Sequence, residues 1–219
     1  MINHRVYKNR FYVQFARIGQ ALASERRLEL LDLLGQGPRH VEALAAETGM
    51  SVASVSQHLQ VLHAARLVEA DRQGTRSIYR LAEPKVLRLW LSLRSVAESR
   101  LAEMGELRRE MARETGEQPE VSRGKLEELI QREEALLLDV RPRLEYEHGH
   151  LPGAVSLPLE ELASRVEELP RDRPIVTYCR GAYCLFADEA ATLLRQHGFT
   201  VYRLEGGWPE WLAEGRPVG

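Results

Sequence analysis

The sequence predicts two domains, a mainly α-helical domain followed by an α/β domain with a parallel sheet. The spacing of apolar residues changes between the halves, from three or four residues to short apolar runs that alternate with helical stretches. The charge changes as well, because residues 1–115 carry 18 Lys and Arg against 13 Asp and Glu, whereas residues 116–219 carry 12 against 19. We therefore expect domains at 1–112 and 125–219, joined by a polar linker at 113–124.

The composition excludes several classes of protein. The chain has 219 residues, 44% hydrophobic and 28% charged, which is typical of a globular protein and not of a disordered chain. No apolar run approaches the roughly 20 residues of a membrane span, and the first residues lack the apolar segment of a signal peptide. Two cysteines are too few to stabilise a secreted fold, so we expect a reducing, cytoplasmic setting and no membrane partner.

Helices are predicted first along the chain. Apolar residues recur at helical spacing up to Ala23, and Ser24 can cap a second helix. A third helix is expected from His40 to Thr48, where Gly49 ends it, and a fourth begins after Ser51. Two short helices joined by a tight turn are typical of a helix-turn-helix motif.

The fourth helix has two different faces. Its apolar stripe, which we expect to face the core, contains Val52, Val55, Leu59 and Leu62. The opposite face carries small and amide side chains, namely Ala53, Ser54, Gln57 and Gln60. Side chains of these types let the helix approach another surface closely and form hydrogen bonds with it.

A hairpin and a long helix complete the first half. The strand-like pattern from Leu67 to Leu81 turns at Arg72-Gln73-Gly74-Thr75. A fifth helix is expected from Pro84 to Arg113. Its apolar side contains Val86, Leu89, Trp90, Leu93, Val96 and Leu101.

This order of elements resembles the winged helix-turn-helix DNA-binding domain of the arsenic-repressor-like (ArsR) family of bacterial transcriptional regulators. The resemblance covers roughly residues 11–110, and its segments are ALASERRLELLDLL, LAAETGMSVASVSQHLQVLHAARLV and the wing EADRQGTRSIYRL. It implies a homodimer in which the first and last helices pack across a two-fold axis. The residues that would serve this seam, or would instead pack inside one domain, are Phe15, Leu22, Trp90 and Leu93.

The resemblance also implies that the partner is a double-stranded DNA operator. The candidate contacts lie on the fourth helix and the wing: Ser51, Ala53, Ser54, Ser56, Gln57, His58, Gln60, Arg72 and Arg76. Amide side chains such as Gln57 can pair with adenine edges in the major groove, and arginines at a hairpin tip favour phosphate or minor-groove contact. His58 lies at the edge of the apolar stripe, where it is either a partly buried structural residue or a phosphate contact.

Metal sensing, which is common in this family, is not expected. Metal-sensing members place cysteines on the third helix, or carboxylate and histidine ligands on the last. Here the third helix reads HVEALAAETG without a cysteine, and the stretch from Pro84 to Arg113 has neither histidine nor cysteine. Because a tight transition-metal site needs several such ligands, we expect no metal and no other cofactor.

The second half alternates strands and helices. Buried strands are predicted at 136–140, 154–157, 175–178 and 201–204, with helices at 125–133, 159–169 and 185–197. The segment CRGAYC follows the third of these strands and precedes a helix. Ligand sites of open parallel sheets lie at the carboxyl ends of the strands, so this segment is the candidate site.

The second half resembles a rhodanese (sulfurtransferase) domain over roughly residues 118–217. The segments that carry the resemblance are LLLDVRPRLEYEHGHLPGAVSLPL, IVTYCRGAYCLFADEAATLLRQHGF and LEGGWPEWLAEG. It implies a nucleophile, Cys179, that carries a transferable sulfur as a persulfide and receives it from a small sulfane-sulfur donor. It also places His148-Gly149-His150 in a turn and not in a metal site.

The position of Cys179 favours thiolate chemistry. The thiolate is the nucleophile, and backbone N–H groups at the start of a helix stabilise an anion. Arg180 adds a neighbouring cation, or its side chain faces solvent. The alternative is that Cys179 is a buried structural cysteine.

Cys184 departs from the pattern of several thiosulfate-using rhodaneses, which carry a cationic residue at this sixth loop position. It either resolves a sulfur adduct on Cys179 or packs as a small apolar residue. Two functions follow: a transcriptional regulator, expected to be a repressor, that senses or delivers reactive sulfur, or a sulfurtransferase enzyme whose winged helix mainly dimerises. A constitutive DNA binder with an inert rhodanese-like domain is a third alternative.

Overall fold

The computed structural model describes residues 4–74, 76–116 and 118–219, without the side chains of Gln73 and Arg76. The chain forms two compact units that divide between Trp90 and Leu91. Both predicted fold classes are confirmed, since the first unit is a winged helix-turn-helix and the second contains a parallel sheet covered by helices. No helix in the described part of the chain combines the length and hydropathy needed to cross a membrane.

The first unit consists of helices and a small antiparallel sheet. Its elements are α1 (His4–Leu22), α2 (Glu25–Leu34), β1 (Arg39–His40), α3 (Val41–Thr48), α4 (Val52–Ala64), β2 (Val68–Gln73), β3 (Arg76–Leu81) and the beginning of α5 (Pro84–Arg100). Leucines from three helices form the centre of its core, where Leu30, Leu44 and Leu59 are fully buried. This core fixes α4 against the rest of the unit.

The turn between α3 and α4 is built as the sequence predicts. Gly49 ends α3 with φ 66°, a left-handed conformation that glycine adopts without strain. The Ser51 hydroxyl then accepts a hydrogen bond from the Ser54 backbone N–H at 3.1 Å and caps α4. Strands β2 and β3 pair as an antiparallel hairpin, and β1 pairs with the outer side of β3.

The prediction of one helix from Pro84 to Arg113 is wrong, because α5 ends at Arg100 and α6 (Ala102–Thr115) follows it. Leu101 has φ −100° and ψ 115°, a β-region conformation that interrupts the helical hydrogen bonds. After the turn, α6 directs Met104 and Met111 toward Tyr183, and these residues line a cavity of about 150 Å³. The packing of α6 within the second unit therefore accounts for a helix break at a position that has no glycine or proline.

The second unit contains α6 and a five-stranded parallel sheet in the order β4-β8-β7-β5-β6. Its further elements are β4 (Glu120–Val121), α7 (Arg123–Gln131), β5 (Leu136–Asp139), α8 (Arg143–His148), β6 (Val155–Ser156), α9 (Leu159–Arg165), β7 (Ile175–Tyr178), α10 (Phe186–Gln196), β8 (Val201–Leu204) and α11 (Trp208–Ala213). The expected domain boundaries stay a prediction. Within the expected linker, the structure has the end of α6, strand β4 and the first two residues of α7.

Side chains that alternate along the strands form two apolar layers. Leu138 and Ile175 belong to one layer, with α10 above it. Leu137 and Val176 belong to the other, with Trp211 of α11. The period of two residues along a strand accounts for this division, which leaves the carboxyl ends of β5 and β7 side by side.

Candidate functional sites

The exposed face of α4 carries the candidate DNA contacts. Ser51, Ala53, Gln57 and Gln60 are exposed, whereas Ser54, Ser56 and His58 are half-buried. Val55, Leu59 and Leu62 are fully buried, so three members of the predicted core stripe are confirmed. Val52 was expected in that stripe but is 47% exposed, because it is the first residue of α4 and lies at the edge of the packed face.

The wing places one arginine in an exposed position. Arg72 lies at the end of β2 and is exposed, whereas Arg80 on β3 forms ion pairs with Glu69 and Asp71. The side chain of Arg76 lies outside the described part of the structure. DNA contact by the α4 residues and the wing arginines stays a prediction.

Four residues were expected either to form the dimer seam or to pack inside one domain, and their surroundings differ. Phe15 is 64% exposed and Leu93 is 39% exposed. Leu22 is half-buried and packs against the core of the first unit. The half-buried Trp90 donates from Nε1 to Asp32 Oδ1 at 2.8 Å, which ties it to α2. Phe15 and Leu93 are thus accessible for association, while Leu22 and Trp90 have partners inside one chain.

The candidate sulfur site is the loop 179–184 between β7 and α10, which we call the sulfur loop. Cys179 directly follows β7 and is fully buried, with Sγ 3.3 Å from the Cys184 carbonyl oxygen, to which the thiol donates. Cys184 is only partly buried, and its backbone N–H donates to the Gly181 carbonyl oxygen at 3.2 Å. The loop therefore curls so that both thiols, which are free, share one small region.

The two thiols have opposite pKa shifts. Burial raises the pKa of Cys179 well above its ordinary value, and the neighbouring Cys184 adds to the rise, while the backbone N–H groups of Gly181 and Ala187 oppose it. The adjacent Cys179 thiol lowers the pKa of Cys184 to about 7, against the effect of burial, and the backbone N–H groups of Phe186 and Arg180 contribute. The surroundings of the pair therefore favour the ionised form of Cys184, whereas burial disfavours the ionised form of Cys179.

Arg180 faces the protein. Its Nε donates to Glu145 Oε1 of α8 at 2.9 Å, and its guanidinium lies 5.4 Å from the centre of the Phe186 ring. Its side chain is 15% exposed and that of Glu145 only 1%, so this ion pair is largely desolvated. The alternative of a solvent-facing Arg180 is wrong, because the buried Glu145 carboxylate binds it.

Gly207 holds the other side of the sulfur loop, a role that the sequence pattern did not reveal. The Trp208 backbone N–H donates to the Cys179 carbonyl oxygen at 3.2 Å. A β-carbon at Gly207 would lie 2.4 Å from that oxygen and 2.6 Å from the Gly181 backbone nitrogen. Only glycine therefore fits here. The two adjacent glycines of LEGGW were a visible signal of a close backbone contact. The sequence could not show that the contact is with the sulfur loop, because Gly207 is far from that loop along the chain.

A buried polar network lies beside the sulfur loop at the end of β5. The guanidinium of Arg141 and the carboxylate of Asp139 are both fully buried and pair at 2.6 Å. Arg141 also donates to the Gly149 carbonyl oxygen at 2.9 Å, and the Tyr178 hydroxyl donates to Asp139 at 2.5 Å. The network joins the ends of β5 and β7. The charged pair inside the otherwise apolar LLLDVR was a visible signal that sequence reasoning missed.

His148-Gly149-His150 forms the end of α8 and the turn after it. Gly149 has φ 152°, and the His150 ring stacks on Tyr146 with ring centres 3.8 Å apart. The turn interpretation is consistent with this geometry. Among the described residues, no group of three or more His, Cys, Asp or Glu side chains is arranged to hold a metal ion.

Comparisons with known proteins agree with both halves of the structure. The description "Bacterial regulatory protein, arsR family" matches residues 24–70, and "Rhodanese-like domain" matches residues 122–214. The chain is 47% identical over 207 residues to HTH-type transcriptional regulator Rv0324 of Mycobacterium tuberculosis, an alignment that spans 94% of this chain and 90% of that protein. The chain belongs to the family of that regulator. It is an ArsR-type transcriptional regulator with a C-terminal rhodanese domain.

Two further similarities concern the separate halves of this ArsR-type regulator. Its C-terminal part is 35% identical over 91 residues to a sulfurtransferase of Allochromatium vinosum. That alignment spans 41% of this chain and 83% of that protein. Its N-terminal part is 46% identical to the homodimeric winged helix-turn-helix DNA-binding domain of Mb0332 from Mycobacterium bovis, solved by NMR. That similarity has a TM-score of 0.43 and covers 46% of this chain and 91% of that one.

Proposed function

We propose that this regulator is a cytoplasmic repressor that binds a double-stranded operator as a homodimer, and that sulfane sulfur carried on Cys179 changes its affinity for the operator. The observation that carries the proposal is the sulfur loop, where a buried thiol lies against a second, partly exposed thiol. Thiolates exchange sulfur by attack on an S–S bond, so two adjacent thiols suffice to accept and hold the transferred atom.

The exposed face of α4 supports sequence-specific binding. Gln57 and Gln60 point away from the buried leucines that hold the helix in place. Amide groups presented in this way can read adenine edges, and the exposed Arg72 can contact phosphates. For a symmetric dimer, the half-sites should form a pseudo-palindrome with centres about 34–36 Å apart.

Exposed apolar side chains support the homodimer. In α1, Phe11 and Phe15 are 62% and 64% exposed. In α5, Leu89, Leu93 and Val96 recur at helical spacing and are at least 39% exposed. Aromatic and aliphatic groups in such number on helices favour burial against a second copy of the chain.

A physical route from the sulfur loop toward the DNA-binding unit is provided by α5, which belongs to both units. Within the second unit, the Tyr183 hydroxyl of the sulfur loop donates to Glu98 Oε1 of α5 at 2.5 Å. At its other end, α5 contributes Val86 to the core of the first unit. A change in loop conformation that moves Tyr183 would therefore act directly on this helix, as a coupled response requires.

A sulfurtransferase enzyme is the second candidate function. The observation that favours it is the strand–loop–helix arrangement that places a cysteine at the carboxyl end of a central strand. The relative in Allochromatium vinosum is itself named a sulfurtransferase. In this alternative, the winged helix serves dimerisation or localisation, and DNA binding has no sequence preference.

The test combines DNA selection with an activity assay on the reduced full chain. We expect selection from random duplexes at moderate salt to yield one pseudo-palindromic sequence, and transfer of sulfur from thiosulfate to cyanide to be slow. If the protein showed no sequence preference and sustained sulfur transfer, the proposed regulatory function would be refuted and the sulfurtransferase function would be favoured.

A further inference from the structure

The positive charge of the first unit is concentrated at its N-terminal end. Residues 1–24 carry four Lys and Arg and no Asp or Glu, whereas residues 25–90 carry nine Lys and Arg against eight Asp and Glu. Helix α4, which carries the candidate base contacts, has no Lys or Arg. Because attraction to phosphates supplies much of the affinity of a protein for DNA, we looked for its source outside α4.

The first half of α1, residues 4–13, presents three cations to solvent. All of its residues are exposed, including Arg5, Lys8 and Arg10. Lys8 Nζ lies 5.9 Å from the centre of the Tyr12 ring, and the Arg10 guanidinium lies 5.8 Å from that of Tyr7. An aromatic ring attracts a cation but carries no net charge, so these contacts orient the two cations without neutralising them.

The second half of α1 fixes this cationic segment relative to α4. Ala21 is buried in the core of the first unit. Arg17 donates from Nη2 to the Ala64 carbonyl oxygen, at the end of α4, at 3.1 Å. At about 1.5 Å per residue, Arg5 lies about 18 Å along the helix from Arg17. That distance corresponds to about five base pairs of duplex, at about 3.4 Å each.

The same helix can serve the proposed homodimer without covering these charges. Phe11 and Phe15 are the exposed aromatic residues of α1 that support association. With about 100° of rotation per residue, Arg5 and Arg10 lie about 100° and 120° to either side of the line through the two phenylalanines. A seam along that line therefore leaves both arginines at its margins.

We propose that residues 4–13 of α1 form a second DNA-binding surface, which contacts the phosphates of the duplex that flanks the sequence read by α4. Arg5, Lys8 and Arg10 make these contacts. The assignment rests on the proposed operator binding and adds a role for α1. Because phosphate contacts carry no direct sequence information, this surface increases the affinity for DNA and leaves the base preference unchanged.

The experiment measures the dissociation constant of the full chain for two duplexes, one that ends with the selected operator and one extended by about ten unrelated base pairs on each side, between roughly 50 and 200 mM salt. The α1 variant is Arg5→Gln/Lys8→Gln/Arg10→Gln. We expect it to bind the extended duplex at least about tenfold more weakly than wild type at about 100 mM salt, with a smaller loss on the short duplex. Its slope of log affinity against log salt should be shallower by about 3–5, since each lost phosphate contact removes about 0.9. Selection should yield the wild-type sequence.

A charge-matched control variant, Lys125→Gln/Arg132→Gln/Arg143→Gln, removes the same charge from exposed positions of the second unit. It should bind both duplexes within about twofold of wild type, since salt screens charges that lie far from the DNA. If the α1 variant and the control variant bound the extended duplex equally well, the assignment would be overturned while operator binding stood. A wild-type protein without any sequence preference would instead refute the proposed function.

Two further measurements on the α1 variant separate DNA contact from other roles of the three cations. Sedimentation equilibrium should show the same dimer as wild type, whereas weaker dimerisation would mean that the cations act between the two copies and would overturn the assignment. Co-sedimentation with vesicles of phosphatidylserine and phosphatidylcholine tests an anionic lipid surface. Vesicle binding that the α1 variant loses, with no change in its affinity for DNA, would also overturn the assignment.

Discussion

Replacement of Gly207 by alanine tests whether the segment before α11 holds the sulfur loop in shape. The new β-carbon would lie 2.4 Å from the Cys179 carbonyl oxygen, 2.6 Å from the Gly181 nitrogen and 2.8 Å from the Gly181 α-carbon. All three atoms belong to the backbone, so no side-chain rotation can relieve the contact. Either the loop or the chain at Gly207 must move.

Two effects determine how much free energy of unfolding Gly207→Ala should remove. Overpacking of a closely packed site costs about 1–3 kcal/mol. Displacement also weakens the hydrogen bond from Trp208 N–H to the Cys179 oxygen, which contributes about 1 kcal/mol. We therefore expect Gly207→Ala to lower the free energy of unfolding of the second unit by about 2–4 kcal/mol.

Urea unfolding of the full chain, followed by tryptophan fluorescence, measures this loss, because Trp208 and Trp211 are buried in the second unit. Gly124→Ala is the matched control, since Gly124 lies in α7 and a β-carbon there meets no atom within 4 Å. The control should be neutral or more stable by roughly 0.5–1 kcal/mol. If the two variants were equally stable, the role assigned to Gly207 would be refuted.

Three further predictions concern the buried pair, the DNA interface and metals. Asp139→Asn should lower the free energy of unfolding by about 3–5 kcal/mol because it leaves the Arg141 charge buried without its carboxylate, whereas Asp172→Asn on the surface should have no measurable effect in the same urea titration. In a binding assay, Gln57→Ala should relax base preference, while Arg72→Ala should weaken all sequences alike and reduce the salt dependence; loss of base preference in Arg72→Ala alone would contradict these roles. Stoichiometric zinc, cadmium or arsenite should not release the operator, and the Cys179→Ser variant controls for direct attack on the thiol; release from both proteins would show that a metal site was missed.

Regular elements were largely predictable from the sequence. The strands at 175–178 and 201–204 coincide with β7 and β8, because both segments are short and rich in β-branched and aromatic residues, which favour strands. The end of α5 at Arg100 was not predictable, because leucine is neither a helix-breaking nor a capping residue type, although Leu101 occupies the N-cap position of α6. Strand β4 has two residues, too few to show any periodicity.

The candidate site was predictable in its position but not in its environment. The alternation of strands and helices was enough to place Cys179 at the carboxyl end of a central strand. Its complete burial, and the contrasting exposure of Cys184, depend on how the loop curls under Gly207. The Arg180–Glu145 pair likewise joins residues 35 positions apart, which local patterns cannot reveal.

The measurement that bears most directly on a sulfur-responsive repressor is the dissociation constant for the selected operator, determined at fixed salt before and after treatment of the full chain with glutathione persulfide. Coupling between two sites is typically worth about 1–3 kcal/mol, so the affinity of the wild type should change by at least about fivefold. The double variant Cys179→Ser/Cys184→Ser should bind the operator with one affinity under both conditions. An unchanged dissociation constant for wild-type protein whose Cys179 is shown by mass spectrometry to carry sulfur would contradict the proposed regulation.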